Sequence, residues 1–404
     1  MAQLHFTLDY EFFIGLFSES RDEAFVKLME TLLNQVLLAE SKEQLGAENY
    51  ERSGDRLDYR NGTRERSFIT RIGKMELIVP RHRNVPFKTL LFERYQRSEQ
   101  GLIATMMEMV VQGVSTRSVQ KVTEELCGER FSKSTVSEIC RNLDIPVKQF
   151  KERLLPEKYP FIIADAIYVK VREEHRVKSK AVFIAIGVNT DGHKEIIGFD
   201  IYDAETTSTW KEFFENLRSR GLRGVDIVVS DAHKGLVEAI KECFPGSAWQ
   251  RCQAHFKRNI IDKCPKKYSA GLASELKSMF NSSTLEEARR LRTSICEEYQ
   301  DVAENAIKVL DEGFEDSMTI MALPYKYRTS LRTSNIIERE NKEVRKRERV
   351  IQIFPNSDSV IRLLGAVLMD DHNDWSIGQR LFNMKEYYDN TAAIQQKLKK
   401  GKVA

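Results

Sequence analysis

Between about Tyr159 and His255 the chain sets down three consecutive runs of β-forming residues, Phe161 to Val171, Ala181 to Val188 and Glu195 to Tyr202. It then alternates. Thr209 to Arg220 has a helical apolar period, Val225 to Ser230 reads as a buried strand, Lys234 to Cys243 as a second helix, and Ala248 to Cys252 as a last short strand. A meander followed by helix, strand, helix, strand has few solutions, because strands that are apolar on both faces need helices above and below. The order predicts an α/β core built on one mixed sheet.

Two carboxylates interrupt these apolar strands. Asp165 lies inside Phe161-Ile162-Ile163-Ala164-Asp165-Ala166-Ile167-Tyr168-Val169, where a bare charge is costly unless a cation or hydrogen bonds satisfy it. Asp231 closes the run that starts at Val225, at the carboxyl end of a strand, where sheets of this type open onto a binding crevice. Neighbouring strands would bring the two aspartates together as ligands for a hard divalent cation such as Mg²⁺. Phosphoryl chemistry with two ions asks for a third carboxylate. The helix predicted over Asn335–Arg349 offers one. Asn335, Glu338, Asn341 and Arg345 share a face by i, i+3, i+4 spacing, whereas Glu340 points elsewhere and Glu343 lies at the flank.

Around this core the chain falls into blocks. Residues 1–50 form a helical region in which Arg21 to Leu45 carries the stripe Phe25, Leu28, Met29, Leu32, Leu33, Val36 and Leu37. The flanking sequence offers little to cover that stripe, so it is a candidate dimerisation surface as well as a candidate core. Residues 51–100 are basic and hairpin-like. Arg60-Asn61-Gly62-Thr63 reads as a turn, and Phe68–Thr70 and Met75–Val79 flank Gly73 as the two arms of a hairpin. Arg60, Arg64, Arg81 and Arg83 would make it a charged ribbon.

Residues 101–150 read as three short helices, with Ser115 capping the second, Gly128 closing it, and Ser132 or Ser134 capping the third. This spacing matches a helix-turn-helix, which would turn Lys133, Ser134, Thr135, Ser137 and Arg141 toward DNA. A plain helical hairpin has the same spacing. Residues 156–255 hold the first part of the core, 256–330 an all-helical insertion, 331–380 the final core helices, and 381–404 a basic tail.

The net charge of +3 conceals an uneven distribution. Residues 1–50 hold nine acids against three bases, residues 51–100 twelve bases against seven acids, and residues 251–267 six bases, Lys257 and Arg258 among them, against one acid. Arg345-Lys346-Arg347 adds another island directly after the candidate glutamate. Basic islands beside a carboxylate site point to a polyanion as substrate. Six scattered cysteines fit a reducing compartment, no apolar run is long enough to cross a membrane, and Met1 to Leu16 lacks the basic start of a secretory signal. The expectation is a cytoplasmic protein.

These residues carry a resemblance. Asp165-Ala-Ile-Tyr-Val-Lys-Val-Arg-Glu173, Ser230-Asp-Ala-His-Lys-Gly-Leu236, Cys252-Gln-Ala-His255, Thr333-Ser-Asn-Ile-Ile-Glu-Arg339 and Arg349-Val-Ile-Gln-Ile-Phe-Pro-Asn356 resemble the Mutator-type transposases of bacterial insertion sequences. Tyr59-Arg60-Asn61-Gly62, Val79-Pro80-Arg81 and Glu93-Arg94-Tyr95-Gln96-Arg97 extend it upstream, so it covers most of the chain. Thr63 departs from the aromatic usual in the family and Ser334 from a second threonine; neither is a carboxylate. The resemblance implies an RNase H-like core with an Asp-Asp-Glu triad interrupted by the helical insertion. Asp165, Asp231 and Glu338 would hold two Mg²⁺ ions, with Mn²⁺ able to substitute. The implied activity is cleavage of the element's ends and transfer of a 3′-hydroxyl into double-stranded target DNA, by a homodimer or larger assembly at the nucleoid of a bacterium. Two other functions compete on the residues alone: an acid/base hydrolase using Asp165 and Asp231, and a non-catalytic helix-turn-helix regulator.

Cys252 and His255 admit two readings. Cys-x-x-His is half of a zinc site that Cys243 and Cys264 would have to complete. Alternatively His255, just after the last core strand, hydrogen-bonds a phosphate or orients the catalytic carboxylates, with Cys252 packed beneath. The recurrence of the motif in the family supports a role near the active site.

Overall fold

The computed structural model describes residues 6–17, 21–48, 51, 56–93, 96 and 98–400. Arg94, Tyr95 and Arg97 of the upstream motif and Lys402 of the tail lie outside them. The chain divides into two units, Met1–Asn142 and Leu143–Ala404.

In the first unit, α1 (Tyr10–Leu16) and α2 (Arg21–Leu45) precede an antiparallel hairpin of β1 (Arg60–Thr70) and β2 (Gly73–His82). Along β2 the side chains of Met75, Leu77 and Val79 are buried while Glu76 and Ile78 are exposed, so one face of the ribbon is apolar. Helix α2 covers that face with Val26, Met29, Leu33 and Leu37. The stripe of α2 therefore finds its cover inside the unit, contrary to the expectation that the flanking sequence supplies none. Phe25, assigned to that stripe, is instead 50% exposed. Arg60-Asn61-Gly62-Thr63 is not a turn either. It opens β1, where the register shifts between Arg60 and Thr63 and Gly62 sits at φ +75°, a bulge that glycine adopts without strain. The reversal falls at Arg71-Ile72.

Helices α3 (Gln100–Val111), α4 (Thr116–Cys127) and α5 (Lys133–Ile139) gather around Leu102, Met106, Val119, Val136 and Cys140. Their ends follow the sequence: Ser115 Oγ accepts from Ser118 N, Ser132 Oγ from Thr135 N, and Gly128 closes α4.

The second unit opens with α6 (Asp144–Glu152) and contains β3 (Phe161–Glu173), β4 (Arg176–Val188), β5 (Lys194–Tyr202), α7 (Thr207–Ser219), β6 (Ile227–Ser230), α8 (Lys234–Cys243) and β7 (Ala248–Arg251). The strands form one mixed sheet in the order β5-β4-β3-β6-β7: β3 is antiparallel to β4 and parallel to β6, and β6 is parallel to β7. This is the α/β core with a mixed sheet that the strand order predicts. Helices α7 and α8 cover one face through Trp210, Phe213, Phe214, Leu236 and Ile240, with Trp210 stacked 3.7 Å from Phe183.

Four helices, α9 (Gln253–Asp262), α10 (Lys266–Phe280), α11 (Leu285–Tyr299) and α12 (Glu304–Met318), follow with a core of their own. After α13 (Tyr325–Leu331) the chain returns to the sheet as α14 (Asn335–Ile351) and α15 (Ser357–Ile377), and it ends in α16 (Lys385–Asp389) and α17 (Thr391–Lys400). Helix α15 lies close on the other face of the sheet because it meets Val147 and Phe199 at Gly365, where a Cβ would stand 2.3 Å from Val147. Between α14 and α15, Phe354 bridges to the edge of β3: its N–H donates to the Lys170 carbonyl and its carbonyl accepts from Arg172 N, both at 2.8 Å. Among the described residues no helix is long and apolar enough to cross a membrane.

Candidate active site

The sheet brings the first two carboxylates together. Strand β3 pairs with β6 only from Phe161↔Ile227 to Ile163↔Val229, and two residues further along each strand stand Asp165 and Asp231. There β6 stops, so β3 runs on with its edge unpaired until Phe354 bridges to it at Val171. Ser230 Oγ donates to the Asp231 carbonyl and accepts from Trp249 Nε1, while His233 N donates to Asp231 Oδ1 at 3.1 Å. Burial and the charge of Asp231 push the Asp165 carboxyl up to about 6, against the favourable pull of His255 and of bonds from Ala166 N and Asn341. His255, Ala166 N and Asn341 compensate this buried acid only in part, and a dication would favour its ionised form further.

Helix α14 supplies the rest. Its start is tied to the end of β7: Gln253 N donates to the Arg332 carbonyl at 2.9 Å, and Ser334 N donates to Cys252 Sγ at 3.3 Å. Ser334 Oγ, 3.2 Å from the same sulfur, donates to Glu338 Oε1 at 3.2 Å. On the far side of Glu338, His255 Nε2 lies 3.8 Å from Oε1. Cys252, His255 and Glu338 thus offer ligand atoms all within 4.8 Å of one another. One turn beyond Glu338, Asn341 Nδ2 donates to Asp165 Oδ2 at 2.7 Å. Of the face that the spacing selects, Glu338 and Asn341 reach this corner, whereas Asn335 and Arg345 are exposed; Ser334, the residue before the helix, joins Glu338 instead.

The electrostatics of this corner are those of an ion pair. His255 is pushed up to about 9, first by the Cys252 sulfur beside it and then, against the cost of burial, by Asp165 and Glu338. Burial alone would raise the Cys252 thiol, but His255, Ser334 and the His255 backbone outweigh it and lower it. The zinc reading loses its other two ligands, since Cys243 belongs to the core under α7 and α8 and Cys264 to the core of the helical insertion.

Sequence reasoning missed two groups here. Glu205, in the loop before α7, accepts from Trp210 Nε1 at 3.1 Å and lies 3.3 Å from His233 Nδ1, so that it supports the turn after Asp231. Burial raises its carboxyl. Ser334 was noticed only as a departure from a family pattern, yet it links Cys252 to Glu338. No periodicity could reveal Glu205, whose partners come from three other segments.

The basic residues sort less uniformly. Lys133, Ser134, Thr135, Ser137 and Arg141 are exposed along α5 and just after it, although the Ser134 and Thr135 hydroxyls also bond Ser132. Arg64, Arg81 and Arg83 are exposed on the hairpin, but Arg60 spends its guanidinium on the carbonyls of Ala47 and Glu48. Arg258, Arg345 and Lys346 are exposed and Lys257 is half-buried. Arg347 is a correction: expected in a DNA-facing island, it is buried and bonded to Glu343, because it lies on the inner side of α14.

Residues 3–378 match the family model described as transposase, Mutator family. The transposase for insertion sequence element IS256 in transposon Tn4001 of Staphylococcus aureus is 45% identical over 386 residues, covering 95% of this chain and 99% of that protein. The transposase for ISRM5 of Rhizobium meliloti is 42% identical, covering 91% and 92% of the two chains. The transposase for IS1081 of Mycobacterium tuberculosis is 36% identical, covering 91% and 89%.

Proposed function

The chain belongs to the Mutator family of transposases, and from that premise we propose that it cuts and joins DNA at Asp165, Asp231 and Glu338, which hold two divalent cations, Mg²⁺ or Mn²⁺. The observation that carries this reading is the convergence of Asp165 and Asp231 at the open edge of β3, where burial and the neighbouring Asp231 push the Asp165 carboxyl up to about 6. Ions held there would stabilise the charge that develops on a reacting phosphate. The chain's own groups prepare the site. Cys252 and Ser334 fix the start of α14, Ser334 orients Glu338, and the His255 imidazolium stands in for positive charge beside Asp165 and Glu338. The sheet order, with three antiparallel strands followed by parallel ones, supports an RNase H-like core.

In this reading α4 and α5 act as a helix-turn-helix that reads the element's ends through Lys133, Ser134, Thr135, Ser137 and Arg141. Arg64, Arg81, Arg83, Lys257, Arg258, Arg345 and Lys346 hold the phosphate backbone of double-stranded DNA. The enzyme works as a homodimer or larger assembly on paired ends, in the bacterial cytoplasm.

The test is nicking of DNA carrying the element's ends by the purified chain, with EDTA as control. Asp165→Asn and Asp231→Asn should each abolish nicking and leave end binding intact. Nicking that survives EDTA or either substitution would overturn the assignment, and binding without nicking by the unsubstituted protein would favour a regulator.

A further inference from the structure

We infer that Asn341 is a positioning residue of this site, holding the Asp165 carboxylate beside Asp231 and keeping its own amide oxygen for a water molecule that enters with the divalent ions; the inference rests on the Asp-Asp-Glu reading above. Asn341 is 8% exposed and sits on α14 one turn past Glu338, between the buried apolar residues Ile337 and Val344. Its Nδ2 donates to Asp165 Oδ2 at 2.7 Å. An ionised carboxylate only accepts, so the amide nitrogen must face Asp165 and the oxygen must face away. That oxygen, Oδ1, is buried and finds no partner in the protein.

A buried amide with one end unmatched is unfavourable as packing: the bond to Asp165 accounts for the nitrogen, and nothing in the chain accounts for the oxygen. The polar end is therefore matched by something outside the chain. In a crevice lined by carboxylates a water accompanying the cation supplies the donor. Because one rigid helix carries both Glu338 and Asn341, the helix that brings the third carboxylate also sets the orientation of the first. Outer partners of this kind change metal affinity or activity about 10–100-fold when removed.

Asn341→Leu keeps the volume and removes both hydrogen-bonding groups. With the full chain and no DNA, Mn²⁺ affinity read from the paramagnetic resonance signal of the free ion should fall about 10–100-fold, and the Mg²⁺ concentration for half-maximal nicking should rise by a similar factor. The metal-free melting temperature should fall by no more than a few degrees, since Asp165 Oδ2 loses a donor while the unmatched Oδ1 disappears with it. Should the leucine variant fail to fold, Asn341→Ser, too short to reach Asp165, is read in the same way. Unchanged metal curves in a folded variant would reduce Asn341 to a space filler and overturn the inference alone. Failure of wild type to bind Mn²⁺ in a manner that Asp165→Asn abolishes would overturn the Asp-Asp-Glu reading, and this inference with it.

Discussion

Helix α14 carries two glutamates two residues apart, and they live in different worlds. Glu338 faces the crevice, 28% exposed, with Ser334 and His255 on its Oε1. Glu340 lies on the opposite side, 5% exposed, and bonds Asp371 of α15. At about 100° per residue the two side chains point some 200° apart, so one helix serves a site and a core at once. Burial and Asp371 raise the Glu340 carboxyl, and Lys194 only partly opposes them. By the usual criterion of a perturbed acid, Glu340 is the better functional candidate. It is nonetheless a core residue, buried on α14 beside Asp371 of α15, with Lys194 as the cation near it. Glu338 is distinguished by convergence: Cys252 and His255, from the segment after β7, and Ser334, from the start of α14, meet it within a few ångströms, while Asn341 one turn on reaches Asp165 of β3. Perturbation reports burial, and only convergence of separate segments reports a site.

The largest expected effect separates the two glutamates directly. Glu338→Gln should bring single-turnover nicking at saturating Mg²⁺ down to background, whereas Glu340→Gln, which keeps the bond a neutral acid makes to Asp371, should nick like wild type. The reverse pattern would exchange the two assignments.

Next comes the cost of the partly compensated pair. The Asp165 carboxyl is raised in the fold from 3.8 to about 6, so its protonated form is favoured there. The metal-free protein should therefore lose stability as pH climbs from about 4 to about 6 and none above, by at most about 3 kcal/mol from this group. Urea midpoints at pH 4 and 7 should show that loss in wild type and not in Asp165→Asn; identical pH dependence would mean the carboxyl is already neutralised by the protein. His255 has the opposite sign. Raised from 6.5 to about 9, it contributes stability that is complete below pH 6.5 and lost between 6.5 and 9, a loss His255→Asn should lack.

A smaller effect tests the anchor of α14. Cys252→Ala removes the sulfur that receives Ser334 N and should lower the nicking rate about tenfold at unchanged DNA affinity. Smallest of all, Cys264→Ala should leave nicking untouched, and elemental analysis should find no stoichiometric zinc. One zinc per chain, lost in Cys252→Ala and kept in Cys264→Ala, would instead place the metal on Cys252, His255 and Glu338.

The parts of this site that were legible in the sequence are those with a period. The apolar strand around Asp165, the strand end at Asp231 and the shared face of Glu338 and Asn341 all follow from spacing, although Asn335 of that face is exposed, and the strand order predicts a mixed sheet. What spacing does not carry is which neighbour covers which face. The stripe on α2 looked uncovered because the hairpin's apolar face, Met75, Leu77 and Val79, alternates with exposed residues in a strand that reads as merely basic. Gly62 looked like a turn because Asn-Gly favours positive φ in turns and bulges alike. Arg347 looked solvent-facing because its charge partner, Glu343, lies on its own helix and brings it inward. Glu205 gave no signal, since its meaning depends on Trp210, His233 and Tyr168 meeting it in space.

The bond from Asn341 to Asp165 joins residues 176 positions apart, with the whole helical insertion between them. At synthesis rates of 5–20 residues per second, roughly 10–35 s separate the emergence of the two partners from the ribosome. Once Asp231 has followed Asp165, and for the rest of that interval, the nascent protein holds both aspartates without the helix that brings Glu338. On the Asp-Asp-Glu proposal, a chain that stops short of α14 would keep the sequence of the first unit, with its exposed basic residues, and lack the third carboxylate. Translation itself acts as a timer, and prematurely terminated products would compete with the finished enzyme for whatever the first unit binds.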